Sequence, residues 1–527
     1  TENGEVIEEN VKTYLEANPL EEFGFSGWVG PEPHGAPLAG NSGFIRDNLI
    51  AKRLVKWLKD RYLRRELGED EALRPFLLVA SFVNPHDIVL FPAWRRQENN
   101  PIKKCDLDPP KVPEPPTRYE NLESKPAAQI AYKNAYFSGY GPHRRVKKIY
   151  ERNEQEYRNF YYRLHLEVDG PIDSVRKIIS ENALNETVIF RTSDHGDLLG
   201  AHGGLHQKWF TLYDEATRVP FQVVRTGSNP TTSKTISNAP TSHVDLIPTA
   251  LGLAGLKEKE LSEKLSDSFT EMHPLPGYDL SPLIENQNED RFLERGVYMM
   301  TRDNVLEGDT LASVLARRLG RGNNPPAAMR IRVPSDVASN FEGLVKRVSE
   351  TDAKGGGENI WKLVRAFDDP STWSDPDVRH LSSSSPPAIR HRNSIIPDQW
   401  ELYNLDSDPI ELKNKSKDPA FEEVFNFLKN CLKQESANQI PERNNPWPYV
   451  QRKPPKEQIP IKKPPPPARV LRNLLQKVGL HPEDLDPFEY ELDNSRALIV
   501  CTNHSWLDVA KPTGVFSSEM TVPYYLF

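Results

Sequence analysis

The sequence predicts an α/β fold built on a mainly parallel sheet flanked by helices, followed by a smaller α+β subdomain. Three observations carry that expectation. Apolar runs of buried-strand length occur at 72–83 (ALRPFLLVASFV) and 186–193 (ETVIFRTS). Helical patterns lie around them, at 46–67, 152–181 and 242–256. From about residue 295 the texture changes to short strand-like pieces between Gly/Pro/Ser-rich loops such as SSSSPP (382–387). Buried strands alternating with helices are the pattern of a parallel sheet covered on both faces.

In chain order, 46–67 places Leu49, Ile50, Leu54, Trp57 and Leu58 on one helical stripe. The 72–83 run stops at Asn84-Pro85, a turn signal. Residues 98–128 are proline-rich loop, 152–181 a long helix, and 186–193 a second buried strand. VPFQVV (219–224) is a further apolar segment, and SHVDLIPTALGLAGL (242–256) is helical. In the second half GVYMM, NIWKLVRAF and QWELYNL read as strands, and DPAFEEVFNFLKNCLKQ (418–434) as a helix. Residues 445–470, rich in proline, form an extended linker.

Bulk properties narrow the function. The 67 Lys and Arg against 75 Asp and Glu give a charge of −8, which excludes nucleic-acid binding carried by net charge. No run approaches the ~18 apolar residues of a membrane helix. Cys105, Cys431 and Cys501 are too few and too scattered for a disulfide framework or a CxxC zinc site. The opening TENGEVIEEN has neither an initiator methionine nor a signal peptide, which leaves the compartment open.

The densest chemistry is TSDHGDLLGAHGGLHQKW (192–209). Asp194 and His195 follow a strand, at the end where open α/β sheets bind ligands, and their side chains suit a divalent cation. The glycines at 196, 200, 203 and 204 let the backbone turn sharply, and Lys208 can neutralise an anionic group. Taken alone, DHGD is more often a solvated turn. His202 and His206 have the spacing of a zinc pair, but Gly203 and Gly204 between them disfavour the helix such a site requires.

The stretch 192–221 resembles the second signature of the sulfatases, in the alkaline phosphatase superfamily. SFVNPHD (81–87), TSHVDLIPTALGLAGL (241–256) and WELYNLDSDPIELKN (400–414) resemble three more family segments in the family's order, so the likeness covers about 20–415. The resemblance implies an alkaline-phosphatase-like sheet and a metal-dependent sulfuric ester hydrolase acting on a small-molecule or carbohydrate sulfate ester. Asp194 and His195 match metal ligands, usually for calcium, although an imidazole nitrogen suits calcium poorly and leaves the metal's identity open. Lys208 matches the lysine that binds sulfate oxygens, and His86 the histidine that assists the leaving oxygen. His202 and His206 fall back to supporting or turn roles. The paired N-terminal aspartates, the G-K-x-H loop and the C-x-P-S-R motif, whose first residue becomes the formylglycine nucleophile, are absent. The expectation is therefore a sulfatase lacking its N-terminal part and inactive alone.

The organisation expected is a sulfatase-like core at 1–294, a C-terminal subdomain at 295–440, a linker at 441–495 and a tail at 496–527. The tail resembles the start of a ThiJ/PfpI-type, flavodoxin-like domain, in which Glu519 would sit beside a cysteine that this chain does not reach. Two rivals remain: a phosphoester or phosphonate hydrolase of the same superfamily, and a non-catalytic fragment.

Overall fold

The computed structural model describes, in the main, residues 42–95, 110–139, 146–182, 187–227, 236–285, 290–301, 340–370 and 390–440. The linker at 441–495 and the ThiJ/PfpI-like tail, with Glu519, lie outside the described residues.

The first half is helical around a small ribbon. Helix α1 (Gly43–Glu66) buries Ala51, Leu54, Trp57 and Leu58, close to the stripe read from the sequence. Helix α2 (Ala127–Gly139) leads to α3 (Val146–Glu181), which runs through Pro171 and contains a non-helical Asn153. Helices α1 and α3 share a core in which Leu54, Trp57 and Leu58 meet Val175 and Ile179. Strand β1 (Thr187–Thr192) pairs with β2 (Phe221–Thr226), and α4 (Leu246–Leu253) follows.

Helices and sheets are present as expected, but every strand pairing among the described residues is antiparallel. In the first half the cause is the connection. Thr192 pairs with Phe221, so 193–220 leaves and returns at the same end of the ribbon. A parallel pair would need a crossover to the opposite end. Two further expectations are corrected. The 72–83 run opens on the end of a short helix (Asp70–Leu73) and is then extended with an isolated bridge at Leu78, and Leu77 is 49% exposed. Strand β1 is half-buried along Thr187–Phe190 and exposed at Arg191 and Thr192, not a fully buried strand.

The second half contains strands β3 (Val297–Thr301), β4 (Asn340–Val348), β5 (Asn359–Phe367) and β6 (Gln399–Asn404) in one antiparallel sheet of that order, with α5 (Glu422–Gln439) against it. Strand β4 is the one element of this sheet that the sequence reading did not mark. Side chains alternate across a strand, and here the alternation divides two tasks. Trp361, Leu363 and Leu402 pack with Val424 and Leu428 of α5. Val364, Ala366 and Tyr403, on the opposite face, join a core with Leu198, Leu205 and Tyr213 of the motif loop. The sheet therefore backs the stretch that follows β1. No described helix is long and apolar enough to cross a membrane.

Candidate active site

After β1 the chain turns at Asp194–Gly196. His195 Nε2 lies 3.0 Å from Asp194 Oδ2, and its Nδ1 lies 2.8 Å from the Gly196 carbonyl oxygen. Thr192 Oγ1 is 3.1 Å from His243 Nε2, which brings the TSHVDL segment against this turn. Burial holds the His243 ring below its usual range, against the opposing pull of Asp194.

The turn closes into a loop through backbone bonds from Leu198 N to Gln207 O at 2.8 Å and from Gly200 N to Leu205 O at 2.7 Å. Asp197 pins it. Its Oδ1 accepts from Leu199 N at 2.8 Å, Gln207 N at 3.2 Å and the Tyr157 hydroxyl at 3.4 Å. Burial pushes the Asp197 carboxyl up to about 6, while those donors and the Lys208 ammonium pull it down. Lys208, half-buried, is thus presented at the end of a closed loop beside a carboxylate. Gly203 has φ +72°, and a Cβ there would come within 2.6 Å of the Glu120 carbonyl oxygen, which explains a glycine at this crossing.

The two histidines that suggested zinc serve different partners. His202 is fully buried, 2.9 Å from Glu120 Oε2 and 3.3 Å from Glu215 Oε2, and stacks on Tyr213 at 3.6 Å between centroids. Burial works against its charged form, but the two carboxylates outweigh it and raise the ring above its usual range. His206 stacks on Tyr150 at 4.3 Å, and burial beside Arg118 and Arg158 pushes it down to about 3. Both are supporting residues.

The His202 clamp carries a pH dependence. A folded value raised above the ordinary 6.5 contributes stability that is complete below about pH 6.5 and is lost as pH climbs through the raised value. Glu215 is lowered instead: burial alone would raise it, but His202 prevails, so its share is present above 4.5 and lost in acid. The stability gap between wild type and His202→Gln, read from urea midpoints, should therefore shrink from pH 6 to pH 9. A gap that grows over that range would remove the charged clamp.

Strand β6 fixes the loop from behind. Glu401 Oε1 accepts from the Tyr213 hydroxyl at 2.8 Å and the Tyr403 hydroxyl at 2.6 Å. Lys125 Nζ donates to the Tyr403 hydroxyl at 2.5 Å and lies 3.2 Å from Glu120. Lys362 of β5 sits 2.8 Å from Asp214 and 2.9 Å from Glu411. The WELYNL segment, recognised from sequence as a family marker, is thus a buried polar bracket for Tyr213, while Lys362 and Glu411 hold Asp214 beside it.

His86 opens a short 3₁₀ turn (His86–Leu90), and its Nδ1 lies 3.4 Å from Asp87 Oδ1. The structure joins Asp194 to His195, and the Lys208 charge acts on the Asp197 carboxyl. No hydrogen bond or ion pair among the described residues joins His86 to Asp194. Nor do the described residues hold a group of three or more His, Cys, Asp or Glu able to take a metal. Asp194 and His195 by themselves offer one carboxylate and one imidazole, where calcium takes ~6–8 oxygens. Sequence reasoning missed Asp197, Asp87, Asp47, Glu120 and Lys362. The first two lie within the quoted motifs, as the second acid of DHGD and the acid after PH.

Residues 6–256 match the sulfatase family model. This stretch belongs to the sulfatase family. A choline-sulfatase from Rhizobium meliloti (strain 1021) is 28% identical over 202 residues, 38% of this chain and 35% of that protein. A Delta 4,5-hexuronate-2-O-sulfatase from Bacteroides thetaiotaomicron is 28% identical over 186 residues, 34% of this chain and 37% of that protein. Among solved structures, a 2-O GAG sulfatase aligns with 79% of this chain and 67% of its own, at 18% identity and a TM-score of 0.44. The matches span about a third of the length of these curated relatives. Sulfatase membership accords with the alkaline-phosphatase-like α/β class expected from the motifs.

Proposed function

We propose that the chain carries the anion-binding and leaving-group side of a sulfuric ester hydrolase, for a small-molecule or carbohydrate sulfate ester. The observation that carries this reading is Lys208, held at the end of a loop that Asp197 closes inside a sulfatase-family segment. A sulfate monoester bears a single negative charge, which one half-buried ammonium meets with a charge-assisted hydrogen bond. In turnover, His86 would give a proton to the ester oxygen as its bond to sulfur breaks and the formylglycine hydrate that the family uses bonds to sulfur. The formylglycine motif of the family is not found in these 527 residues, so binding rather than turnover is the activity expected of the chain as it stands.

A divalent cation at Asp194 and His195 would need the ring to turn and oxygen ligands beyond those the described residues offer. The roles of Lys208 and His86 do not depend on it.

Titration calorimetry of the full chain with 4-nitrophenyl sulfate tests the assignment. Lys208→Ala should weaken binding by about tenfold or more, the worth of one hydrogen bond to a charged group. Equal affinity in wild type and variant would overturn the role of Lys208. Tighter binding of 4-nitrophenyl phosphate than of the sulfate would favour a phosphoester hydrolase instead.

A further inference from the structure

The SFVNPHD loop and helix α1 grip one another through two buried carboxylates that the chemistry above does not use. Asp87 is fully buried; its Oδ2 accepts from Gly43 N at 2.8 Å, and its Oδ1 faces His86 Nδ1 at 3.4 Å. Asp47, one turn along α1 and 1% exposed, reaches back the other way. Its Oδ1 accepts from Val83 N at 2.6 Å and its Oδ2 from Asn84 N at 3.1 Å. The contact between the two segments is tight, since a Cβ on Gly43 would come within 2.6 Å of the Asn84 side chain. The first turn of α1 contains no acidic residue, so Asp87 supplies from outside the negative charge that a helix N-terminus favours.

We propose that Asp47 and Asp87 form a reciprocal clasp that positions His86, with Asp87 fixing the ring as the Nδ1–H tautomer and leaving Nε2 to exchange the proton. The proposal rests on the reading of His86 given under Proposed function. In turnover, as the formylglycine hydrate that the family uses bonds to sulfur and the S–O bond to the ester oxygen breaks, the charged ring would pass its Nε2 proton to that leaving oxygen and remain neutral with hydrogen on Nδ1. A carboxylate is required at both positions by counting acceptors. Each uses its two oxygens for different donors, whereas an asparagine at the same place has a single acceptor oxygen. Burial pushes the Asp47 carboxyl up to about 7, with Asp87 adding to the rise against the two backbone donors. That rise is what two carboxylates crowded into one water-poor joint produce. Asp47 and Asp87 are thus positioning residues, and His86 is the group that meets the substrate.

Nitrogen-15 NMR of the full chain tests the clasp without requiring turnover, with His86→Gln used to assign the ring. The neutral ring of His86 should be the Nδ1–H tautomer. Asp87→Asn should either lose that tautomer as the dominant form or speed Gly43 amide exchange by about tenfold or more. Asp47→Asn should do the same to the Val83 or Asn84 amide while the tautomer is retained. An Nε2–H tautomer in the wild type overturns the proposal, even if the variants fail to fold. So does an Asp87→Asn protein in which both signals are unchanged. If the signals are as stated but His86→Ala leaves 4-nitrophenyl sulfate binding untouched, the reading of His86 fails and the clasp stands.

Discussion

Lys362→Met should lower the unfolding free energy by about 3–5 kcal/mol, the usual consequence of removing one partner from a buried ion cluster. Lys362 is fully buried between Asp214 at 2.8 Å and Glu411 at 2.9 Å, and Asp214 N donates to Glu411 Oε2 at 2.6 Å. Without the ammonium, two carboxylates face each other out of water. Burial already pushes Glu411 up to about 7, with Lys362 pulling it down and Asp214 pushing it up. Removing Lys362 raises it further, so the penalty should be smaller at pH 5, where Glu411 takes up a proton, than at pH 8. Urea denaturation at the two pH values gives both numbers. A loss under about 1 kcal/mol at pH 8 would mean that the cluster is not buried as described. The effect reaches the site because Asp214 and Glu215 belong to the turn against which His202 is held.

Gly196→Ala should have the next largest effect, and the loss should fall on the motif loop. A Cβ at Gly196 would lie 2.0 Å from the Glu215 carbonyl oxygen, a separation that backbone must move to relieve. The Gly196 amide also donates to Ala216 O at 2.8 Å, so the DHGD turn and the 213–217 turn are stitched at this point. Overpacking of this kind costs about 1–3 kcal/mol or more, and the displaced loop should carry Lys208 out of register. The expected result is a lower melting temperature with weakened sulfate-ester binding. Gly68→Ala is the matched control: φ is +77° there, but nothing lies within 4 Å of a Cβ. Its cost should be about 1–2 kcal/mol of backbone strain with binding unchanged. If Gly196→Ala bound as well as Gly68→Ala, the stitching of the two turns would have no functional weight.

Much of the candidate site was legible because its residues are contiguous. Asp194, His195 and Lys208 sit in one stretch whose glycines advertise a tight loop, and His86 sits in another. The partners were hidden because they come from far along the chain. Glu120 and Glu215 hold His202, and Glu401 holds Tyr213 from a strand almost two hundred residues later. Nothing in a local pattern says that Lys362, on a strand of apolar neighbours, points toward two acids rather than toward water. Helix α1 was readable from its stripe, as the burial of Leu54, Trp57 and Leu58 shows, whereas α2 (Ala127–Gly139) was not marked. Strand pairing was not, because apolar runs fix burial and leave direction to the connections. The antiparallel pair of β1 and β2 and the isolated bridge at Leu78 both lie beyond what periodicity can encode.

The most direct test of a sulfate-ester site is the position of a bound aryl sulfate, by crystallography or by NMR contacts on the full chain. The sulfate group is expected within hydrogen-bond reach of Lys208 Nζ, with the bridging ester oxygen toward His86 Nε2. An ester seated elsewhere, such as the cleft of about 600 Å³ lined by Trp400, Lys429 and Lys433, with the 192–209 loop unperturbed, would contradict the assignment.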